Sequence, residues 1–411
     1  MDQNFWLNTK DTTYIFCITS FGHLEHIYYG PDLTRGNLEQ NIEETIKALQ
    51  HKNSVVLGAS VNYSKENPTY CLDHMCLEWS GTGRGDYRNS PLELKMPDGS
   101  FVHDFIYQSA QIVEGTVPML ELPGAYAQEG ECTSLIVEME DVSNQVYLKL
   151  IYSVFEETNV ITRRAILTNG NKQQLVIRRA LSMSLDLPNR DFLMHTFDGS
   201  WIREAHHHQT PITPGTQSIS STTGGSSNRH NPGILVAEKN TTENSGWAYG
   251  FNLIYSGNHY AGVELTTDDL VRVQMGINSH CFEWELKNEE SFETPEVVLT
   301  FSDKGLNGVS QQFHSFIQEH IVRGDWKKKI RPVKVNNWEA FFFDFNQSKL
   351  LKLAKRAKDV GVELFVLDDG WFGARNNDHA GLGDYQVNRK KLPSGMKGLA
   401  DKINQMGLLF G

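Results

Sequence analysis

Two patterns of apolar residues divide the chain. Up to about residue 325, short runs rich in Val, Ile, Thr, Tyr and Phe alternate with Gly, Asn and Asp punctuation. That is the pattern of strands joined by turns. Runs of this kind cover 13–18, 145–155, 160–167, 174–184, 247–255, 260–264, 270–275 and 296–301. Asn169-Gly170-Asn171 and Ser256-Gly257-Asn258 supply turns between neighbouring runs. Many strands with few helical patterns predict a large antiparallel β-sandwich over residues 1–307. The exception is 38–50, which reads as a polar helix. Val309, Phe313, Phe316, Ile317 and Ile321 then fall at helical spacing, and Gly324 stops them. The stretch 308–331 therefore reads as a helical linker that closes the β region.

From residue 332 the pattern is α/β. A strand over 333–337 leads to Trp338, and Leu350, Leu351, Leu353, Ala354 and Ala357 make a helix face that Gly361 ends. The apolar run 364–367 is a second strand. Ser394 is placed to cap a helix that buries Met396, Leu399, Ile403 and Met406, and 408–410 starts a third strand. Strand, helix, strand, helix, strand is the opening of a parallel βα array. The expected fold class is β plus α/β: an N-terminal β-sandwich followed, over 332–411, by strands 1–3 of a (β/α)8 TIM barrel, truncated because closure takes eight units. A small open three-stranded α/β domain is the alternative, with an uncovered strand edge against it.

The second of these strands stops at two adjacent carboxylates, Asp368 and Asp369, followed by Gly370 and Trp371. Parallel α/β folds place ligand-holding groups at such strand ends. Carboxylates accept hydrogen bonds from hydroxyls, and Trp338 and Trp371 offer flat apolar faces, a combination that suits a sugar. Two other readings stay open on these residues: Asp369 capping the next turn with Trp371 packed at the rim, and a Mg²⁺ site on the paired aspartates.

Two loop-rich zones interrupt the strands. The first, 62–104, carries Gly81, Gly83 and Gly85, which neither follow a strand nor open a helix and so make no nucleotide fingerprint. The second, 197–232, carries Trp201, an Arg203-Glu204 pair expected to bridge locally, and His206-His207-His208. Consecutive histidines do not converge readily on one ion, so a solvated loop is expected there. Trp201 is either an anchor of the β fold or a wall of a sugar site.

Composition narrows the partners. The 411 residues carry a net charge of −12, without a basic footprint for nucleic acid or anionic lipid. The five cysteines, Cys17, Cys71, Cys76, Cys132 and Cys281, are too sparse for a disulfide framework and read as free thiols of a reducing compartment. No apolar run reaches membrane length and the first residues carry no secretory pattern, so the expectation is a cytoplasmic protein. No cofactor and no metal are expected.

Several motifs in order resemble the barrel opening of glycoside hydrolase family 36 α-galactosidases. They are Asn336-Asn337-Trp338-Glu339-Ala340, Phe343-Asp344-Phe345-Asn346, Leu367-Asp368-Asp369-Gly370-Trp371-Phe372-Gly373-Ala374-Arg375, Gly383-Asp384-Tyr385 and Pro393-Ser394-Gly395-Met396-Lys397-Gly398-Leu399. More loosely, Gly85-Asp86-Tyr87-Arg88, Ser184-Leu185-Asp186 and Gly199-Ser200-Trp201-Ile202-Arg203-Glu204 resemble elements of that family's N-terminal domain. The resemblance implies retaining hydrolysis of terminal α-galactosides such as melibiose and raffinose by a homo-oligomer, often a tetramer. It implies that Asp368 and Asp369 bind galactose hydroxyls, with Trp338 and Trp201 as further substrate-binding residues. In the family the nucleophile and the acid/base come from later barrel strands, so no catalytic residue is expected in this chain. A non-catalytic fragment that binds carbohydrate or assembles subunits is the alternative. The stretch 57–71 is rich in Asn, Ser and Tyr where relatives carry an acidic, arginine-rich segment, which puts contacts across subunits in doubt.

Overall fold

The computed structural model describes residues 4–34, 42–52, 55, 58 and 60–411. It divides into two units, Met1–Val322 and Arg323–Gly411. The division falls inside the 308–331 stretch. Among the described residues the strands form four sheets, of three, ten, six and three strands.

The larger unit is built almost wholly of antiparallel strands. Its ten-stranded sheet runs in the order Arg203–Pro211, Phe192–Ser200, Gly233–Glu238, Ala248–Ile254, Glu296–Ser302, Val160–Asn169, Val146–Phe155, Thr133–Asp141, Ile106–Glu114, with Ser291–Glu293 also paired to Val160–Asn169. The six-stranded sheet runs Gly215–Ser220, His259–Leu265, Leu270–Ile277, Leu175–Pro188, Trp284–Leu286, with Leu92–Lys95 on Leu175–Pro188. Strands Asn4–Asn8, Thr12–Ile18 and Leu24–Pro31 form a third sheet. One apolar cluster takes residues from all three: Tyr14 and Phe16, Ile161 and Phe251, Leu185 and Val273. Each such fully buried side chain contributes about 1.5–3 kcal/mol.

The turn signals at Asn169-Gly170 and Ser256-Gly257 do join consecutive strands, but each carries the chain from the ten-stranded sheet to the six-stranded one. The zone 197–232 is more regular than a loop. Phe192–Ser200 pairs with Arg203–Pro211 as a hairpin, and Gly215–Ser220 pairs with His259–Leu265. The described part of the polar helix expected over 38–50 is Ile42–Leu49, and residues 38–41 lie outside the described residues. Helix Gly305–Phe316 packs on the ten-stranded sheet through Leu306, Val309 and Phe316, then widens into one π turn, Ile317–Ile321.

Two charged networks sit inside this unit. Glu78 accepts from Tyr14 Oη at 2.6 Å and Tyr152 Oη at 2.7 Å, and pairs with Arg163 at 2.9 Å and His26 at 2.8 Å. Burial is the largest influence and would raise its carboxyl; Arg163, His26 and Tyr14 together outweigh it and hold the carboxyl below the usual range. The second network joins Asp86, Arg88, Asp186 and Arg272, all buried. Arg272 bridges Asp186 at 2.7 and 2.9 Å, and Arg88 grips Asp86 at 2.8 Å through both Nε and Nη2.

The smaller unit has three parallel strands, Lys334–Asn336, Leu364–Val366 and Leu409–Phe410, with Leu364–Val366 in the middle. Helices Gln347–Asp359 and Gly395–Gln405 are the crossovers. Asn346 caps the first by accepting from Lys349 N at 3.0 Å. The expected cap of the second, Ser394, makes no cap bond, because its hydroxyl turns to Gln347 Oε1. Phe345, Leu350, Ala354, Phe365, Leu399 and Ile403 form the core between strands and helices. Trp338 does not end a strand but opens a short helical turn, Trp338–Phe341.

Candidate functional site

The middle strand, Leu364–Val366, buries Phe365 completely and is hydrogen-bonded on both sides. Its chain direction carries Leu367, Asp368 and Asp369 out at the C-terminal end, where both carboxylates are partly exposed. An edge strand would leave such a loop freer; here both neighbours hold it.

Each carboxylate is fixed differently. Asp368 N donates to Asn337 Oδ1 at 2.8 Å, and Asn336 Nδ2 donates to Asp368 Oδ2 at 2.6 Å. Asn336 ends the neighbouring strand and Asn337 follows it, so strand pairing sets the position of Asp368. Asp368 Oδ1 also accepts from Asp369 N at 2.7 Å. Asp369 is held from the other side. Arg375 Nη2 and Nε lie 2.8 and 3.0 Å from Oδ2, and Gly370 N donates to Oδ1 at 2.6 Å. The Arg375 guanidinium, more than any other neighbour, keeps the Asp369 carboxyl below its ordinary value, so it is anionic at neutral pH.

Arg375 and Lys391 hold this loop, and the sequence pattern assigns neither of them a role. Arg375 is buried, reaches Ala380 O at 3.0 Å and lies over the Phe343 ring at 5.5 Å. Lys391 Nζ donates to Phe343 O at 2.9 Å and Gly370 O at 2.8 Å, and lies 3.4 Å from Arg375 O. Arg375 closes the Leu367 to Arg375 motif, but its partner Asp369 lies six residues away around a turn. Lys391 has no local signal at all.

Trp338 belongs to the same constellation. Its N–H donates to Asn336 Oδ1 at 3.0 Å, and its ring meets Phe342 and Phe343 edge-on at 5.3 and 4.9 Å. Trp338, Phe343, Arg375 and Asp369 thus form one chain of contacts. Trp371 packs instead against the core of this unit and against Phe372 at 5.0 Å. Two fixed carboxylates beside an indole can accept hydrogen bonds from the hydroxyls of a neutral ligand.

The remaining candidates lie in the larger unit. Trp201 is 79% exposed at the tip of the hairpin between Phe192–Ser200 and Arg203–Pro211. The Arg203–Glu204 bridge does not form as expected: Arg203 donates to Ser200 Oγ, and Glu204 accepts from Ile202 N. His206, His207 and His208 sit on an exposed strand rather than a loop, with His207 stacked on His195 and Phe197. Among the described residues no group of three or more His, Cys, Asp or Glu is arranged to hold a metal. No helix of the described residues is long and apolar enough to cross a membrane. Asp86, Arg88 and Asp186, noted as motif residues, are consumed by the buried network and act as supports.

Residues 22–287 match the model of the glycosyl hydrolase family 36 N-terminal domain, and residues 291–411 match the melibiase model. Alpha-galactosidase AgaA of Geobacillus stearothermophilus is 37% identical over 410 residues, which span 100% of this chain and 55% of the relative. Alpha-galactosidase Mel36A of Lactobacillus acidophilus is 36% identical over 414 residues, with 100% and 55% covered. The chain therefore spans about half the length of the curated relatives it matches. The crystal structure of AgaA superposes with a TM-score of 0.93, covering 100% of this chain and 56% of that one. Variants of AgaA have been solved with stachyose and with raffinose, both at a TM-score of 0.94.

Proposed function

Because this chain belongs to glycoside hydrolase family 36, we propose that it supplies the sugar-holding half of an α-galactosidase acting on melibiose- and raffinose-type oligosaccharides. In this reading the larger unit is the family's β-sandwich, and the smaller is the opening of a (β/α)8 barrel. The observation that carries the proposal is the pair of fixed carboxylates, Asp368 and Asp369, at the C-terminal end of the central parallel strand with Trp338 alongside.

Asp368 and Asp369 accept hydrogen bonds from galactose hydroxyls, those at C4 and C6. Trp338 packs against an apolar face of the ring. Trp201 presents an open indole, which fits the sugar-stacking role its motif resemblance gives it.

Neither aspartate suits the nucleophile's part. Retaining hydrolysis needs one free carboxylate to attack the anomeric carbon and a second, about 5–5.5 Å away, to protonate the leaving oxygen. Asp369 spends its charge on Arg375, and Asp368 spends a lone pair on each oxygen on neighbouring N–H groups. Both are better placed to position the sugar, which lowers the barrier by holding the reacting bond in line. The nucleophile and the acid/base are assigned outside residues 1–411, as the family resemblance implies. AgaA has been crystallised with raffinose, with stachyose and with 1-deoxygalactonojirimycin, and the same ligand classes are assigned here. A cytoplasmic homo-oligomer is the assembly this reading adopts.

The test is galactose release from an aryl α-galactoside by the complete gene product. Asp368→Ala and Asp369→Ala should each lower kcat/KM by on the order of 100-fold. Unchanged kcat/KM in both variants overturns the clamp assignment. Residues 1–411 alone should bind 1-deoxygalactonojirimycin without releasing galactose; turnover by this chain would place the catalytic carboxylates within it.

A further inference from the structure

A groove of about 600 Å³ opens at one rim of the larger unit, where ends of its two big sheets come together. One side is aromatic. Trp284 lies 5.4 Å from Phe292, and Phe282 meets the same buried ring at 5.9 Å. Trp284 is itself 48% exposed, so much of its indole is left to the groove. A half-exposed tryptophan braced from behind offers a fixed, flat apolar face to whatever enters the groove.

The other walls are polar and varied. Tyr255, Asn258, His280 and Glu121 bring a phenol, an amide, an imidazole and a carboxylate to the same space. Their frame is tied down. Asn258 Oδ1 accepts from Gly224 N at 2.8 Å, which leaves the side-chain NH₂ for a ligand, and Asn258 O accepts from Asn278 N at 3.0 Å. Asn278 in turn donates to Ser221 O at 2.9 Å and accepts from His280 N at 3.1 Å. Across the groove Leu120 N donates to Glu293 Oε2 at 2.8 Å, and Glu293 is paired with Arg164. The lining is therefore held in place before anything binds, which lowers the entropy cost of binding.

Two further features set the ligand class. Of the two carboxylates in the lining, Glu293 is met by Arg164, which leaves Glu121 as the groove's acceptor. Cys281 and Phe282 form a ridge shared with a second depression of about 380 Å³, which contains Arg178 and Glu283 paired at 3.4 Å. Two adjoining depressions with an aromatic wall and mixed donors and acceptors suit a chain of pyranose rings better than a single one.

We propose that this groove is a second carbohydrate site, taking a neutral oligosaccharide whose ring stacks on Trp284 and whose hydroxyls meet Tyr255, Asn258 and Glu121. It goes beyond the galactose clamp and uses none of its residues.

The test is ¹⁹F NMR of the 411-residue chain labelled with 5-fluorotryptophan and titrated with stachyose. The chain has 8 tryptophans, and Trp284→Phe assigns the resonance of interest. The Trp284 signal should move saturably and move equally in Asp369→Ala, which disables the clamp. Tyr255→Phe and Glu121→Gln, which keep size and exposure, should weaken that response several-fold while leaving the Trp338 signal as in the parent. A Trp284 signal that stays still at stachyose well above millimolar overturns the proposal. A response untouched by both Tyr255→Phe and Glu121→Gln overturns it as well. The Trp338 signal reports the clamp separately, so the two assignments fail independently.

Discussion

Arg375 holds Asp369 through two nitrogens, with Nη2 at 2.8 Å and Nε at 3.0 Å from the same carboxylate oxygen. The arginine is itself buried and anchored on Ala380 O. A carboxylate clamped this way keeps both its charge and its aim, and a lysine could not reproduce the fork.

Arg375→Lys and Arg375→Met should therefore lower kcat/KM on an aryl α-galactoside by roughly 10- to 100-fold in the complete enzyme. The Arg375 guanidinium holds the Asp369 carboxyl below its ordinary value, so its removal lets that carboxyl rise. The acid limb of 1-deoxygalactonojirimycin binding should then move to higher pH in Arg375→Met. Affinity measured by calorimetry from pH 3 to 7 reads this directly. An unmoved acid limb would mean that Arg375 only supports the loop.

Gly370 follows Asp369 with φ +90°, and a Cβ there would lie 3.0 Å from Phe343 Cδ1 and 3.3 Å from Phe345 Cε1. Phe345 is a core residue and gives little. Gly383 has nearly the same backbone, φ +91°, and a methyl there would meet nothing within 4 Å. Gly383→Ala should cost only the left-handed backbone penalty, about 1–2 kcal/mol. Gly370→Ala should cost more and should weaken galactoside binding, because the aspartate beside it is re-aimed. Urea denaturation and inhibitor affinity of the pair separate the two effects.

How much of this was legible in the chain differs from place to place. The strand ending at Asp368 was readable because four apolar residues run straight into two charges. Helix Gln347–Asp359 was readable because Leu350, Ala354 and Ala357 repeat at helical spacing and are the residues it buries. The hairpin Phe192–Ser200 to Arg203–Pro211 was missed because its second strand is exposed on both faces and shows no alternation. The turns at Asn169 and Ser256 were found, but which sheet the next strand joins depends on pairing with distant strands, which no local pattern records. The same holds for Lys391, whose role comes from three carbonyls that the fold gathers.

Asp186 and Arg272 test the support under the larger unit. Both are fully buried, and Arg88 and Asp86 complete the cluster. Burial pushes the two carboxyls up, but Arg272 and then Arg88 outweigh it and leave both lowered, Asp86 strongly. A lowered folded pKa stabilises above the unfolded value, about 3.9, and that contribution is lost as pH falls through the folded value. Asp186→Asn keeps the shape and removes the carboxylate that Arg272 holds most closely, leaving Asp86 at 3.5 Å, at a cost of up to about 3–5 kcal/mol at pH 7. The gap between parent and variant should persist down to about pH 4 and narrow only below it. Urea midpoints at pH 7, 5, 4 and 2.5 check the sign; a gap that shrinks between pH 7 and 5 would assign the stabilisation to other groups.

Lys391 carries the last prediction. Its amine is lowered from its ordinary value by burial, yet it donates to Phe343 O and Gly370 O and approaches Arg375 O. These carbonyls belong to Phe343, whose ring meets Trp338, and to both ends of the aspartate loop, so one side chain ties the indole to the clamp. Lys391→Met keeps the aliphatic stem and removes the donors, leaving partly buried carbonyls unsatisfied at about 1–3 kcal/mol. The loosening should be local. Amide exchange should speed up over 368–376 while the helix Gln347–Asp359 keeps its protection. In the complete enzyme the loss should appear in kcat as well as in KM, because on the proposed reading the clamp holds the reacting bond in line. Equal acceleration of exchange across the whole unit would show that Lys391 supports the fold in general.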